Sequence, residues 1–383
     1  MESFQFIENT GWNVKKFPAL DSEQTLVLIF AAPHFWHNQQ PIHELRQFYK
    51  HAKMIGCSSA GEIFGSHIYD KSLSVVVVRF ERTTLKLVKA EVHDGEDSFA
   101  AGQRITRQLH NDDLCSIFVL SGGLKVNGTD LVNGLNSMSD STPLITGGLA
   151  GDGSDFLHTW TIFNGELSTD EVVALGFYSK HLKVGHGSKG GWDIFGPSRR
   201  ITRSTRNILY ELDHQPALLL YKEYLGERAK ELPASGLLYP LSISDMSAEV
   251  AEPIVRTIVG IDEKSQSLIF TSDVPTGYSA QLMRANFDRL IVSANEAGEQ
   301  ATDTMFLSKN DSGNSMLAIS ISCVGRRLLL GERTEEETES ALEALPENTT
   351  QVGFYSYGEL SPLVQGNCKL HNQTMTLTTY MEC

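Results

Sequence analysis

Three stretches of this chain share one shape, an apolar run that stops in a cluster of glycines and acids, and no other feature constrains the fold as much. Pro143–Gly153 reads PLITGGLAGDG, Met54–Gly65 reads MIGCSSAGEIFG and Gln351–Pro362 reads QVGFYSYGELSP. Leu144, Ile145 and Thr146 have the character of a buried strand end, and Gly147, Gly148, Gly151 and Gly153 then permit a sharp turn or a close approach. Gly56 and Gly61 lead to Glu62, and Gly353 and Gly358 lead to Glu359, in the same way. Small residues at the mouths of buried strands are where α/β proteins build ligand sites, so the three strand ends are expected to line one pocket.

Around these stretches, strand and helix patterns alternate. Residues 25–32 form a continuous apolar strand, 43–53 has helical spacing at Leu45, Phe48, Tyr49 and Ala52, and 54–57 returns as a strand. Residues 72–80 and 85–92 read as paired strands about a turn at 81–84. A helix (98–110), a strand (116–120), a second helix (129–138) and short strands at 158–163 and 172–178 complete the first half. The glycine-dense segment GHGSKGGWDIFG at 185–196 breaks all periodicity and is the expected junction, giving domains 1–184 and 185–383. Beyond it come a hairpin (201–204 with 208–212), a helix at 216–225 opened by Pro216, strand material at 235–240 and 255–260, and an acidic surface helix at 334–345.

A weak echo links the halves. Strand, turn, helix, strand, helix and glycine-ended strand from Leu85 to Gly148 recur from Leu268 through helix 287–302 and strand 316–323 to Gly358. The order implies an α/β protein of two similar α/β domains, packed as an αββα sandwich or edge to edge.

A formal charge of −15 over 383 residues argues against nucleic acid and anionic membranes as partners. Arg199, Arg200, Arg203 and Arg206 form a local basic exception, whose plain reading is a solvated hairpin and whose alternative is a site for an anionic ligand or partner. The apolar run at 26–32 is far shorter than the ~20 residues of a membrane span, and the N-terminal decade lacks a signal-peptide pattern, so a cytoplasmic protein is expected. Five widely spaced cysteines without a Cys-x-x-Cys pair disfavour zinc and disulfide frameworks.

Candidate chemical groups are few, and each has a plain structural alternative. His34, His37 and His43 follow the first strand without an acidic or cysteine co-ligand, as ordinary loop histidines do. Cys57, in a small-residue turn, has the setting of a nucleophile but no base named by periodicity, so a small buried thiol is the preferred reading. His186, between glycines and six residues before Trp192, is the candidate metal ligand, an axial imidazole for a haem, or else a loop histidine. His371 points into the cleft or caps its strand. Arg326 and Arg327 receive carboxylates or cap the sheet edge. Glu62, Asp152 and Glu359 share a position at the three strand mouths, which is the best argument for one site. Tyr355 and Tyr357 lie in the third stretch beside Glu359.

GCSSAGEIFG at 56–65 and GGLAGDG at 147–153 resemble the signatures of an N-terminal FIST domain. SCVGRR at 322–327, GFYSYGELSP at 353–362 and LHNQTMTLTTY at 370–380 resemble those of its C-terminal FIST partner. The resemblance spans essentially the whole chain and implies a non-catalytic small-molecule sensor of bacterial signalling. Stand-alone chains of this length resemble the NO-sensing haemoproteins NosP, which implies haem b, held by one non-covalent axial residue, and a partner histidine kinase or cyclic-di-GMP enzyme. On that reading the cofactor site comprises His186, Trp192, Gly147, Gly148, Gly151, Asp152, Cys57, Glu62, Arg326, Tyr355, Tyr357 and Glu359. The alternative ligand is a small polar metabolite such as an amino acid, and a Cys57-dependent hydrolase or transferase ranks last. A homo-oligomer is compatible with either sensor reading.

Overall fold

A computed structural model describes residues 1–137, 143–247, 253–307, 311, 313–362 and 366–383. The chain builds one supersecondary unit three times and interrupts the third copy with an insertion. The first unit comprises β1 (Glu2–Ile7), β2 (Gly11–Trp12), β3 (Thr25–Ala31), α1 (Gln40–Phe48), β4 (Lys53–Ser58), β5 (Glu62–Phe64), β6 (His67–Tyr69) and β7 (Ser72–Arg79). The second comprises β8 (Thr84–Glu91), α2 (Ser98–Leu109), β9 (Leu114–Ser121), α3 (Gly128–Leu135), β10 (Leu144–Leu149), β11 (Thr161–Phe163), β12 (Glu166–Ser168) and β13 (Glu171–Tyr178). The third opens with β14 (Leu182–Lys189) and then leaves for the insertion. That segment holds β15 (Asp193–Thr205), β16 (Ile208–Leu212), β17 (Gln215–Pro216), α4 (Ala217–Leu225), β18 (Leu241–Ser244), β19 (Ile254–Arg256), β20 (Ile258–Asp262), β21 (Ser267–Phe270) and β22 (Ser279–Arg284). The third unit resumes with α5 (Phe287–Thr304), β23 (Met316–Cys323), α6 (Val324–Leu330), α7 (Thr334–Glu343), β24 (Thr349–Ser356), β25 (Gly358–Ser361), β26 (Lys369–His371) and β27 (Met375–Glu382).

Each unit has a parallel pair joined by helix: β3 with β4, β9 with β10, β23 with β24. Each then sends its next hairpin into another unit's sheet. β5 pairs with β24, β11 pairs with β4 and β25 pairs with β10. The exchange is cyclic, so each of the three sheets of these units is completed by a foreign hairpin at the same position.

Strands buried on both faces explain the layering. Along β3, Leu28 and Phe30 point to a shared core with Phe118 and Leu175 of the second sheet and Ile319 and Phe354 of the third. Val27 and Ile29 point the other way, against Ile42 and Leu45 of α1. Helices α2 and α3 cover the second sheet through Ile105 and Leu131, and α5 covers the third through Ala294, Ala297 and Ala301. Three sheets thus enclose one core and wear their helices outside, an arrangement that is neither a two-sheet sandwich nor sheets edge to edge. Phe30 stacks on Phe354 at 4.7 Å and Phe177 on Tyr380 at 4.6 Å, locking the sheets across it.

Several expectations change at this level. The mixed α/β class and the two-part organisation hold. Strands β7 and β8 do not pair: β7 is already flanked by β1 and β3, which leaves it no free edge, and β8 pairs with β13 in the next sheet. The echo between the halves holds from α5 onward, but the strand at 268–270 belongs to the insertion and β14 takes its place beside β27. Residues 234–238 form a tight 3-10 turn, and the strand there starts at Leu241. The expected junction at 184/185 falls inside β14, and the end of the helix expected at 129–138 lies outside the described residues. Helix α1 starts ahead of its expected position, with Pro41 in its first turn.

Candidate functional site

The three glycine-ended strands meet and bond directly to one another. The Ala60 N–H donates to the Tyr355 carbonyl (2.8 Å), Tyr355 N–H to Gly61 (2.9 Å), Gly151 N–H to Ser58 (3.2 Å) and Tyr357 N–H to Leu149 (3.1 Å). A Cβ added to Gly151 would lie 3.1 Å from Ala60 Cβ, so the tips pack closely against each other there. Farther back, Gly56, Gly147 and Gly353 occupy equivalent positions beside Ile29, Val119 and Ser320. Their added Cβ atoms would sit 2.2, 1.8 and 1.8 Å from those residues' carbonyl oxygens. These glycines serve close strand approach, and Gly148 packs against Ile321 and Phe354 for the same reason.

Glu62 and Glu359 are buried twins. Glu62 accepts from the Ser59 hydroxyl, the Ser72 hydroxyl (2.8 Å) and the Ser72 N–H (3.1 Å). Glu359 accepts from Ser356 Oγ (2.7 Å), Thr374 Oγ1 (2.8 Å) and Thr374 N–H (3.2 Å). Burial pushes the first carboxyl up to about 8 and the second up to about 7, against the pull of those donors. Asp152 stands at the third corner but gathers different partners: the N–H groups of Phe156 (3.0 Å), Leu157 (2.7 Å) and His158 (2.6 Å), and the Tyr357 hydroxyl.

Other expected site residues have structural occupations. Cys57 is fully buried in the shared core, where desolvation holds its thiol well above the ordinary range. Arg326 forms a buried ion pair with Glu337 (2.5 Å) and donates to the carbonyls of Gly190 (2.6 Å) and Leu290 (2.7 Å). Glu337 also receives the Tyr355 hydroxyl at 2.8 Å. Arg327 reaches Ala60 O (2.5 Å) and Asp70 (2.8 Å), and His371 Nε2 lies 2.8 Å from Ser361 O. Arg199 of β15 is engaged with Asp213 and Tyr224, and Arg203 with Glu211.

His186 lies in β14 opposite Thr378, its N–H on Thr304 Oγ1 at 2.9 Å. Gly185 and Gly187 beside it face α5, so alternation turns His186 to the other face. Trp192 packs with Met283, Leu290 and Leu330 and donates to Gln373 O at 2.9 Å. Among the described residues no group of three or more His, Cys, Asp and Glu side chains has the geometry of a metal site. No helix among them is long and apolar enough to cross a membrane.

The ligand-sized space lies beside the junction, between the three-sheet body and the insertion. It is a mainly apolar cavity of about 580 Å³. The body supplies Gly123, Gly128, Leu149 and Tyr357 together with Cys323–Gly325 and Leu328 at the start of α6. Across from them stand Pro233, Leu237, Ile258 and Val259 of the insertion. Of the expected site residues, Tyr357 alone lines it, its ring stacked on Phe156 at 4.5 Å and its hydroxyl fixed by Asp152. His186 and Trp192 are not among its walls, nor is any histidine, so the residues present do not fit a haem held as expected. A second, more polar hollow of about 500 Å³ shares Val324 and Leu328 and includes Ala60, Gly153 and Arg327.

Sequence reasoning missed Thr257, Asn372 and the Cys323–Gly325 turn as cavity walls. Asn372 lies next to His371 and the turn next to Arg326, positions that sequence reasoning did single out.

The FIST N domain description matches residues 25–215 and the FIST C domain description residues 217–362, dividing the chain inside the insertion. An uncharacterized protein of Methanocaldococcus jannaschii is 24% identical over 347 residues, which are 82% of this chain. The match covers 62% of that relative's length. A crystal structure of cyanuric acid hydrolase from A. caulinodans aligns over 93% of this chain and 89% of its own, with 9% identity and a TM-score of 0.32. FIST domains are associated with sensing of small ligands in signal transduction. With FIST N and FIST C domains together spanning residues 25 to 362, this chain belongs to the FIST family.

Proposed function

We propose that the protein senses a small molecule in the cavity between the body and the insertion, and that its output is the placement of the insertion. The observation that carries this reading is the shared wall: Leu149, Tyr357 and Val324 from the body face Leu237 and Ile258 from the insertion. Domain interfaces are a preferred place for ligand sites, and a ligand that touches both sides has the differential affinity that shifts a conformational equilibrium. Polar ties across the same interface include Arg256 on Leu370 O (3.2 Å), Thr271 and Ser272 on Asn372, and Asn127 on Asp273 (3.5 Å). A partner of the kinase or cyclic-di-GMP type would read the movement, and the charge of −15 favours a basic docking face on it. A binding role is preferred to an enzymatic one because burial holds the thiols of Cys57 and Cys323 above their ordinary range, in the neutral form.

A thermal-shift screen of metabolites, followed by amide hydrogen exchange on the first hit, tests this. Protection is expected at 123–128, 234–238, 257–259 and 323–328, and substitution of the exposed wall residue Ala234 by Trp is expected to abolish the shift. Protection confined to other segments would refute the site. A Soret band in freshly isolated protein that disappears in His186→Ala would instead return the haem reading.

A further inference from the structure

Resting on the cavity just assigned, we infer that its ligand is an uncharged, largely apolar molecule with one oxygen-bearing head directed at Thr257 and Asn372. None of the described wall residues is Asp, Glu, Lys, Arg or His. A carboxylate or ammonium group entering such a space loses its water and meets no counter-charge, a penalty that several hydrogen bonds do not repay. This argues against a free amino acid at this site.

The polar equipment is concentrated at one place. Thr257 is 4% exposed, lines the cavity, and its hydroxyl has no partner among the described residues. Buried hydroxyls are nearly always bonded, so a lone one on a cavity wall points to a missing guest. Asn372 is 1% exposed, and its Oδ1 receives the hydroxyls of Thr271 (2.9 Å) and Ser272 (3.0 Å). That leaves its amide N–H groups as the donor side. Behind Gly325, the fully buried Gln373 has neither Oε1 nor Nε2 bonded, and a Cβ on Gly325 would come 2.6 Å from that Nε2. A hydroxyl, carbonyl or ether oxygen on the ligand satisfies this donor-rich wall. Opposite it the mouth is apolar: Phe156, Leu328 and Val259 are 48%, 50% and 42% exposed around the opening. The volume of about 580 Å³ suits a ligand of one to three rings.

Titration of the full chain with 2-naphthol and with 2-naphthoate at pH 7, by calorimetry, separates the classes, since the two share a ring system and differ in charge. The neutral probe is expected to bind, and the carboxylate at least about tenfold more weakly. Thr257→Val is expected to weaken 2-naphthol roughly fivefold, the value of one hydrogen bond, with recovery in Thr257→Ser. Equal or tighter binding of 2-naphthoate, no binding of 2-naphthol, or indifference to Thr257→Val overturns the ligand class. Ala234→Trp distinguishes the two failures: a carboxylate excluded by this substitution leaves the cavity reading standing, whereas 2-naphthol binding that survives it removes both.

Discussion

The corners at Ser59–Glu62 and Ser356–Glu359 bury the same group of atoms, whereas the corner at Ala150–Asp152 does not. In the first two, a serine three residues before the glutamate and a hydroxyl residue across the hairpin surround the carboxyl. In the third the acid is one carbon shorter, the serine is absent, and the carboxylate instead gathers a loop, 153–158, that carries Phe156 to the cavity rim. Equivalent positions in a repeated unit face equivalent geometric demands. The copy that departs from the pattern is the one whose loop carries Phe156 to meet Tyr357 at the cavity.

The comparison breaks first, and hardest, at the glycines that all three corners share. Replacing Gly147 or Gly353 with Ala places a Cβ 1.8 Å from a neighbouring strand's carbonyl oxygen, and neither backbone can retreat within a packed sheet. Loss of about 4 kcal/mol or more is expected, read as the absence of a cooperative melt by circular dichroism. A melt within a few degrees of the parent would mean that the strands are not so close.

Next in size, Glu62→Ala and Glu359→Ala each strand three buried donors and should cost about 3 kcal/mol or more in urea unfolding. Asp152→Ala frees donors beside an exposed loop, where water replaces the lost acceptor, and should cost nearer 1 kcal/mol. Equal losses at all three corners would erase the distinction drawn between them.

The smallest effect is a slope in pH. The folded pKa values of Glu62 and Glu359 lie above the ordinary 4.5, so the folded state keeps protons that the unfolded chain releases. Their contribution is full below about pH 4.5 and is lost as pH rises through about 7 for Glu359 and about 8 for Glu62. Subtracting the stability profile of Glu62→Gln from that of the parent isolates the Glu62 share. A difference that grows more favourable to the parent with rising pH would contradict the assignment.

Much of this was visible in the chain, and what was hidden has a physical reason. Residues 25–31, 98–109 and 316–323 carry their periodicity openly, because each element buries a complete face or both faces. The glycines at 56, 147 and 353 announced their strands. The exchanged hairpins did not: β5 and β11 are three residues long, and their pairing is set by partners hundreds or scores of residues away. The segment 268–270 imitates the first strand of a unit because alternation is the same in any sheet. Arg326 looked like an anion receptor because its carboxylate, Glu337, approaches only once α6 and α7 have folded back on one another. The cavity was the least legible part, being assembled from short stretches scattered between residues 123 and 372, with Tyr357 the one expected site residue among its described walls.

The circular trade of hairpins also dictates when this protein can become whole. As the chain leaves the ribosome, β5 and β6 emerge early and have no sheet to join until residues 349–356 have been made. Throughout that interval their unpaired edge lies open to solvent and to other nascent chains. The ring closes only once β24 has been made, and any truncation short of it leaves two sheets unfinished, one without β24 and β27 and the other without the border hairpin of β25 and β26.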